Sequence, residues 1–320
     1  MRKTSALIVA LGLLASLSAC STSAQGASCS TAVAPGDSSN VVTATGGFNE
    51  KPTVSFPVPL YTKKTERTVL IPGDGAVLQP GDSATVEATI LNGTTGGVLQ
   101  QTGYDTSDGN LVTIGPSALA ALTEGLKCAR VGSRIAVVAS PQDSTGGQGN
   151  PNLGMAASDS LVLVMDIKRG FPAQADGVPQ ITPPEIPSIV LAPNGQPGIV
   201  LPPGSSAPEK LEIAVEKQGN GAVVKADDYV VLKYTGMTWD DKSVFDSTWQ
   251  DGTAKIVQMK KSDTVVEGFV KGVVGQKVGS QVVIVAPPSA AFGDEGGNGV
   301  GAGQTVVYVV DILGIVSLAG

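Results

Sequence analysis

The residues best suited to forming a site are aromatic, acidic and branched apolar side chains in the C-terminal third of the chain. They are Tyr234, Phe245, Asp246, Val265, Val266, Phe269, Phe292 and Tyr308. The chain has no His, so it lacks the commonest general base and metal ligand and every Ser-His-Asp or Cys-His arrangement. Taken singly, Tyr, Phe and Val residues on alternating strands are core residues. Only their order along the chain, taken as a set, indicates a functional pocket. Asp246 is either an acid in that pocket or a turn cap.

A long-period repeat relates this region to an earlier part of the chain. The matching segments are 131–133 with 278–280, 139–141 with 286–288, and 161–167 with 306–312. The spacing between matches stays between 145 and 147 residues. Matches in one order at a near-constant spacing indicate two copies of one structural unit. Only the second copy keeps the aromatic and acidic side chains.

Strands and one short helix in each copy must position these residues, because Val-rich alternating runs punctuated by Gly and Pro indicate mainly β structure. The first copy is predicted to contain strands at 69–71, 84–91, 134–139 and 161–167 and a helix at 116–127. The second is predicted to contain strands at 211–218, 229–237, 255–259, 281–287 and 305–315 and a helix at 264–274. This order lacks regular βαβ alternation, so it predicts an α+β fold with antiparallel sheets.

Length and charge limit the class of protein further. A chain of 320 residues is too long for one small core and favours two domains. The chain has 28 acidic and 21 basic residues, a net charge of −7. An acidic chain argues against a nucleic acid partner, because phosphate backbones bind basic surfaces.

The first twenty residues have the pattern of an export signal. Arg2 and Lys3 precede an apolar run at residues 6–17 that is too short to span a membrane. The run closes on Leu17-Ser18-Ala19-Cys20, which resembles the lipobox of bacterial lipoproteins. In that class the chain is cut before the Cys and its thiol is acylated, which would hold a soluble domain at the outer face of the cell membrane. Ordinary secretion, with cleavage after Ala19 and no lipid, is the alternative.

The chain is predicted to divide into five segments. They are a signal peptide at 1–19, a lipidated tether at 20–47, repeat one at 48–170, a Pro- and Gly-rich linker at 171–208 and repeat two at 209–320. The small polar residues of the tether are typical of flexible chain. Part of the linker could pack against repeat two, because repeat one has a comparable extended lead-in. With lipid on Cys20, Cys29 and Cys128 remain as thiols and predict one disulfide in an oxidising compartment; two buried free thiols are the alternative.

The ordered motifs of repeat two are similar to those of the FKBP-type peptidyl-prolyl isomerases. The motifs are Tyr234-Thr-Gly-Met, Phe245-Asp246-Ser247, Val265-Val266-x-Gly268, Val278-Gly279, Ala291-Phe292-Gly293 and Val306-Val307-Tyr308. The resemblance is specific in repeat two and fainter in repeat one, and the whole chain resembles an actinobacterial lipoprotein with tandem FKBP-type domains. It implies two FKBP-like domains, each a twisted antiparallel sheet wrapped around one short helix, with a pocket between sheet and helix.

The resemblance also implies roles for individual residues. Tyr234 and Phe245 would be walls, with the Tyr234 hydroxyl bonded to the pocket acid Asp246. Val265 and Val266 would lead into the helix, and the Val266 N–H would bind a substrate carbonyl. Phe269 would form the floor of the pocket and Tyr308 its base. Phe292 and Val300 would come from the flap, and Ile256 would form the remaining wall. No metal or cofactor is implied.

Repeat two departs from the family pattern at two side chains and in the loop Asp294-Glu295-Gly-Gly-Asn298-Gly, which lacks the aromatic residue or His often found there. The floor residue is usually Trp and the flap residue usually Tyr, but this chain has Phe269 and Phe292. Phe292 cannot donate a hydrogen bond, so activity is expected to weaken and macrolide binding to weaken more. Repeat one departs further, because Tyr234, Phe245, Asp246 and Phe269 align with Ala88, Leu99, Gln100 and Leu122, and Tyr308 aligns with Leu163 or a neighbour. It is predicted to keep the fold without the pocket.

The resemblance implies prolyl cis–trans isomerisation of exported polypeptides that contain proline. The X–Pro bond isomerises over a barrier of about 18–20 kcal/mol, and a pocket shaped for the twisted amide lowers it without a nucleophile, base or metal. The alternative is a chaperone, binding or scaffold lipoprotein of the same fold with little or no turnover.

Overall fold

A computed structural model describes Cys29, residues 32–105 and residues 107–318. Both repeats lie in one compact unit, residues 31–320. The predicted signal peptide and Cys20 lie outside the described residues. Cys29 and Cys128 are both disulfide-bonded. Within the described part, no helix is both long and apolar enough to cross a bilayer.

Repeat one is a six-stranded antiparallel sheet with a short helix against one face. Its strands are β3 (Glu66–Ile71), β4 (Ser83–Asn92), β5 (Val98–Gln101), β6 (Asn110–Thr113), β7 (Arg134–Ala139) and β8 (Leu161–Phe171). Helix α2 (Ala120–Leu126) packs on the sheet, and α3 (Pro141–Thr145) and a 3₁₀ turn (Pro151–Leu153) follow β7. The strand order is β3-β7-β8-β4-β5, with β6 also paired to β4.

Repeat two has the same arrangement. Its strands are β12 (Glu212–Gln218), β13 (Tyr229–Thr238), β14 (Val244–Ser247), β15 (Lys255–Gln258), β16 (Gln281–Ala286) and β17 (Val306–Val316). Helix α4 (Glu267–Val273) packs on the sheet, and a 3₁₀ turn (Pro288–Ala290) follows β16. The order β12-β16-β17-β13-β14, with β15 paired to β13, repeats that of the first sheet strand for strand. The predicted α+β class, with two FKBP-like domains, is confirmed.

Each repeat buries a core between its helix and the inner face of its sheet. In repeat two this core includes Leu232, Val273 and Ile284, all fully buried. Helix α4 approaches the sheet closely at Gly272, where an added Cβ would lie 2.3 Å from Ile284 Cδ1. Gly125 holds the equivalent position in α2. A larger side chain at either position would push the helix away from the sheet, and at Gly272 the helix could not then close one side of the repeat-two pocket.

Residues of the predicted tether and of the predicted linker cover the outer faces of the sheets. Residues 32–60 include α1 (Asp37–Asn40) and the hairpin β1 (Thr43–Ala44)–β2 (Val54–Ser55), which packs on repeat one. Residues 171–208 include β9 (Val178–Pro179) and the hairpin β10 (Ser188–Leu191)–β11 (Pro197–Val200), which packs on repeat two. Strand β9 pairs with the sheet edge at β12.

Buried polar groups fix these covering segments. In repeat one, Arg134 and Asp166 form a fully buried ion pair of 2.6 Å, and Arg134 also donates to three carbonyls between residues 45 and 50. In repeat two, Asp311 accepts from Gln281 Nε2 at 2.6 Å and from the Ala175 N–H at 3.2 Å. The tether prediction is therefore wrong from residue 32 onward. A few well-placed anchors such as Val42, 1% exposed, outweigh the small polar composition of the segment.

The two repeats share an interface that contains an apolar cluster and hydrogen bonds. Phe171 at the end of β8 packs with Val231 and Leu313 of repeat two, and an added Cβ on Gly314 would lie 2.3 Å from Phe171 Cε1. The Asp108 and Ser317 main chains are joined by an N–H···O bond of 2.8 Å. Repeat two therefore has a buried face that it would expose if it stood alone.

Candidate active site

A cavity of about 500 Å³ opens between helix α4 and the inner face of the repeat-two sheet. It is lined by Tyr234, Phe245, Asp246, Lys255, Val257, Thr264, Val265, Val266, Phe269, Phe292, Asn298 and Tyr308. All eight residues proposed from the sequence as the catalytic set are among them. The structure thus brings together residues that are separated by up to 74 positions in the chain.

A β-bulge brings Phe245 and Asp246 to the same cavity. Consecutive strand residues normally point to opposite faces of a sheet. Between β13 and β14, however, Gly236 pairs with Asp246 and Met237 pairs with Val244, which leaves Phe245 as an extra residue. A bulge of this kind redirects a side chain. Repeat one has the same irregularity at Leu99, so the bulge belongs to the shared fold and not to the chemistry.

Five aromatic rings form a contiguous wall and floor, with Tyr308 at the centre. The Tyr308 ring lies 5.2 Å from Phe269, 5.6 Å from Phe245 and 6.5 Å from Tyr234, with interplanar angles of 62° to 83°. Phe245 also contacts Phe292 edge-on at 6.0 Å. Edge-to-face pairs of this kind are favourable because the ring edge is positive and the ring face negative. The chain has six Phe and five Tyr, so this cavity holds nearly half of them.

The Tyr234 hydroxyl donates a hydrogen bond to the Asp246 carboxylate. Burial raises the pKa of Tyr234 above its ordinary value, and the hydrogen bond to Asp246 and its negative charge raise it further. Burial and the Asp246 charge raise the pKa of Tyr308 in the same direction. Both phenols therefore stay protonated near neutral pH, and Tyr234 stays a donor that orients Asp246.

The segment before α4 contributes backbone as well as side chains. Val265 is half-buried and Val266 is buried, and both line the cavity. The Val265 N–H is held by Ser262 Oγ at 3.1 Å. Among the described residues no group accepts from the Val266 N–H, while the Val266 carbonyl accepts from the Val270 N–H at 3.2 Å. A donor at the cavity wall is thus available to a ligand carbonyl.

Two residues predicted to bind substrate do not line the cavity. Ile256 lies on the opposite side of β15, in the cluster with Phe171, and its neighbour Val257 takes the predicted place. The sequence does not show the register of β15, and a shift of one residue exchanges the two faces of a strand. Val300 is 5% exposed and belongs to the core behind the cavity.

Sequence reasoning also missed Lys255, Thr264 and Asn298 at the cavity. Lys255 could have been found by alternation, since it shares the face of Val257. Its ammonium lies 5.8 Å from the centre of the Tyr234 ring. Asn298 lies in the flap with a positive φ of 51°, and its side chain donates to the Asp263 carbonyl at 3.4 Å. That bond ties the flap to the segment that leads into α4.

In repeat one the equivalent positions are filled by aliphatic side chains. Ala88 and Leu163 are buried in its core, and Leu99 and Leu122 pack against the same cluster. Gln100, at the position of Asp246, is exposed. The repeat therefore keeps the strand order and the bulge and lacks the aromatic wall and the acid.

Comparison with known proteins agrees with this geometry. The sequence model described as FKBP-type peptidyl-prolyl cis-trans isomerase matches residues 221–313. The FK506-binding protein of Streptomyces anulatus is 31% identical over 115 residues, which are 35% of this chain and 92% of that protein. The probable FK506-binding protein of Corynebacterium glutamicum is 32% identical over 118 residues, 37% of this chain and 97% of that protein.

Among solved structures, the three FKBP domains of wheat FKBP73 match this chain with 19% sequence identity and a TM-score of 0.35. The match covers 79% of this chain and 94% of the wheat chain. The fold, the cavity and the relatives together define a prolyl isomerase fold in repeat two. The chain belongs to the FKBP-type peptidyl-prolyl cis-trans isomerases, and it is an isomerase of that type.

Proposed function

We propose that the cavity of repeat two isomerises X–Pro bonds in exported polypeptides at the outer face of the cell membrane, and that repeat one has no such activity. The observation that carries this proposal is the contiguous set of five aromatic rings that lines the cavity together with the hydrogen-bonded acid Asp246. In repeat one, the positions of Tyr234, Phe245, Phe269 and Tyr308 hold aliphatic side chains, and that of Asp246 holds Gln100.

The cavity suits the reaction because the two states of the amide differ in polarity. A planar X–Pro amide is stabilised by resonance and is strongly dipolar, whereas the twisted transition state has lost that resonance. The apolar faces of the aromatic rings therefore disfavour the planar form relative to the twisted one. Tyr308 and Phe269, both 5% exposed, would exclude water from the base of the site. No proton transfer to or from substrate is needed.

Substrate would be oriented by the few polar groups at the wall. Val266 lines the cavity, and among the described residues no protein group accepts from its N–H, so this N–H would donate to the carbonyl of a bound peptide. Phe292 would contact the ligand through its ring alone. The relatives are named for binding FK506, and we propose that this cavity binds such macrolides weakly because Phe292 offers no hydroxyl.

The membrane location rests on the N-terminal sequence. Cleavage before Cys20 and acylation of its thiol would anchor the chain without a spanning helix. Replacing Cys20 by Ala in the producing cell should release the protein into the soluble fraction and abolish labelling by a fatty acid analogue. A Cys20→Ala chain that stays in the membrane fraction would remove the lipid anchor from the proposal.

A protease-coupled isomerisation assay on the full-length chain tests the catalytic part. Asp246→Val should lower turnover strongly, because it removes the acid that Tyr234 binds. Gln100→Val is the matched control, since Gln100 holds the equivalent position in repeat one; it should leave turnover unchanged. A folded wild-type chain that binds proline peptides without turnover would assign the protein to the chaperone or binding class instead.

A further inference from the structure

The loop at residues 248–254 joins the two strands that carry one side of the cavity. Strand β14 before it contributes Phe245 and Asp246, and strand β15 after it contributes Lys255 and Val257. The loop also begins in direct contact with Tyr234. Thr248 Oγ1 accepts from the Tyr234 N–H at 2.9 Å, and the Thr248 N–H donates to the Tyr234 carbonyl at 3.0 Å. Any shift of this loop therefore moves the wall of the site.

Repeat one holds the far end of this loop. The N–H of Ala254, which is 8% exposed, donates to Thr113 Oγ1 at the end of β6, 3.0 Å away. The hydroxyl of Thr113 is itself fixed by Ser83 Oγ at 2.8 Å. A second side chain of repeat one, Ser117, donates to the Asp251 carbonyl in the middle of the loop. Two points of the loop are thus fixed by hydroxyl groups from the other repeat.

Trp249 fixes the loop from the side of repeat two. It is 7% exposed, and the Lys233 ammonium lies 4.7 Å from the centre of its ring. The same ammonium contacts the Gly81 carbonyl of repeat one at 3.4 Å. Gly195 of the covering segment lies so near that an added Cβ would be 3.2 Å from Trp249 Cη2. The loop is therefore enclosed by repeat one, by its own sheet and by the covering segment.

We propose that Thr113 and Ser117 of repeat one are positioning residues for the active site of repeat two. They hold residues 248–254 so that the walls on β14 and β15 keep the separation that a bound X–Pro segment needs. Repeat one, which has lost its own pocket, thus serves as a built-in support for the cavity of its neighbour. The inference rests on the proposed isomerase function of that cavity.

The contacts argue against a merely adhesive interface. Adhesion needs only the apolar cluster around Phe171, to which Val231, Leu313 and Ala254 of repeat two contribute side chains. The hydroxyl contacts at Thr113 and Ser117 are instead directed at main-chain groups of the loop. Hydrogen bonds to the main chain depend on both distance and angle. They therefore fix the position of the loop, whereas apolar contact alone would only keep the loop close to repeat one.

The test compares Thr113→Val with Thr113→Ser in the full-length chain. Valine keeps the shape and removes the acceptor, whereas serine keeps the hydroxyl. Thr102→Val is the matched control, because Thr102 Oγ1 accepts a main-chain N–H at 2.9 Å inside repeat one, from Ala88. Each variant is measured for kcat and KM on a proline peptide and for amide hydrogen exchange across residues 248–258.

Thr113→Val is expected to lower kcat/KM by roughly three- to tenfold and to speed exchange at Ala254 and Lys255. Thr113→Ser should restore both values, and Thr102→Val should change neither. Unchanged exchange in Thr113→Val, or equal losses in Thr113→Val and Thr102→Val, would overturn the inference. If Thr113→Val fails to fold, Ser117→Ala gives the same comparison from an exposed hydroxyl.

The exchange measurement separates this inference from the function on which it rests. A wild-type chain without turnover would overturn the proposed isomerase activity. In that case faster exchange at residues 248–258 in Thr113→Val alone would still support the positioning role, and unchanged exchange would refute it.

Discussion

The hydrogen bond between Tyr234 and Asp246 can be measured by a double-mutant cycle. Tyr234→Phe removes the hydroxyl and keeps the ring that contacts Phe269 and Tyr308. Asp246→Asn keeps an acceptor oxygen and removes the negative charge. Because both changes are close to isosteric, the cycle reports the bond and not the packing of the wall.

The magnitude follows from the two kinds of hydrogen bond. A bond to a charged group contributes about 1.5–3 kcal/mol and a neutral bond about 0.5–1.5 kcal/mol. Both residues are half-buried, so solvent weakens the contribution of the charge. The loss of free energy when the charged bond becomes a neutral one is therefore about 1 kcal/mol. Asp246→Asn should therefore lower kcat/KM roughly fivefold, and Tyr234→Phe by more, since it loses the whole bond.

The double variant decides whether the two groups act together. If the bond orients the wall, the double variant should match Tyr234→Phe to within about twofold, because the partner of Asp246 is already gone. The assay is protease-coupled isomerisation at several peptide concentrations, with thermal unfolding as the control for folding. Losses that simply multiply in the double variant, or single variants with wild-type kcat/KM, would refute this account of the site.

Three further predictions concern the same cavity. Phe292→Tyr places a hydroxyl at the flap and should tighten macrolide binding by about 0.5–1.5 kcal/mol, measured by calorimetry; unchanged or weaker binding would show that the flap does not contact the ligand. Gly236→Ala places a Cβ 2.6 Å from Phe245 Cζ and 2.9 Å from Tyr308 Cε1. It should therefore lower the free energy of unfolding by about 1–3 kcal/mol and remove most of the activity. An unchanged melting temperature would contradict the ring geometry. Burial raises the pKa of Tyr234 and of Tyr308. The stability that these neutral phenols contribute is therefore fully present below the ordinary Tyr pKa of about 10. It is lost only as the pH rises through the raised pKa values. A pH profile of kcat/KM should then show no tyrosine-linked loss below about 10, and a tyrosinate absorbance titration that links an earlier fall to either phenol would count against this.

The sequence predicts most of the sheet because its strands are apolar runs with clear ends. Strand β7 has the predicted bounds, since a Gly turn precedes it and Ser140-Pro141 follows it. The catalytic set is predictable for a different reason. Its members occur in a fixed order of motifs, and the structure places every one of them at the cavity.

The failures have local physical causes. Ile256 and Val257 differ by one position, and only the pairing of β15 with β13 decides which of them faces the cavity. The covering segments look like tether and linker because their anchors are sparse: Val42 and Ile186 are buried among small polar or Pro-rich neighbours. The support of the 248–254 loop by Thr113 could not be predicted, because it depends on how the two repeats pack.

The central claim is that X–Pro bonds isomerise in the cavity of repeat two. Exchange NMR of a proline peptide, mixed with the full-length chain, tests it without a coupling protease. Wild-type protein should accelerate cis–trans exchange, and Tyr308→Leu should lose most of that acceleration. The substitution removes the central ring of the network and gives position 308 the residue type that repeat one has at the equivalent Leu163. Equal acceleration by both folded proteins, or none by the wild type, would contradict the claim.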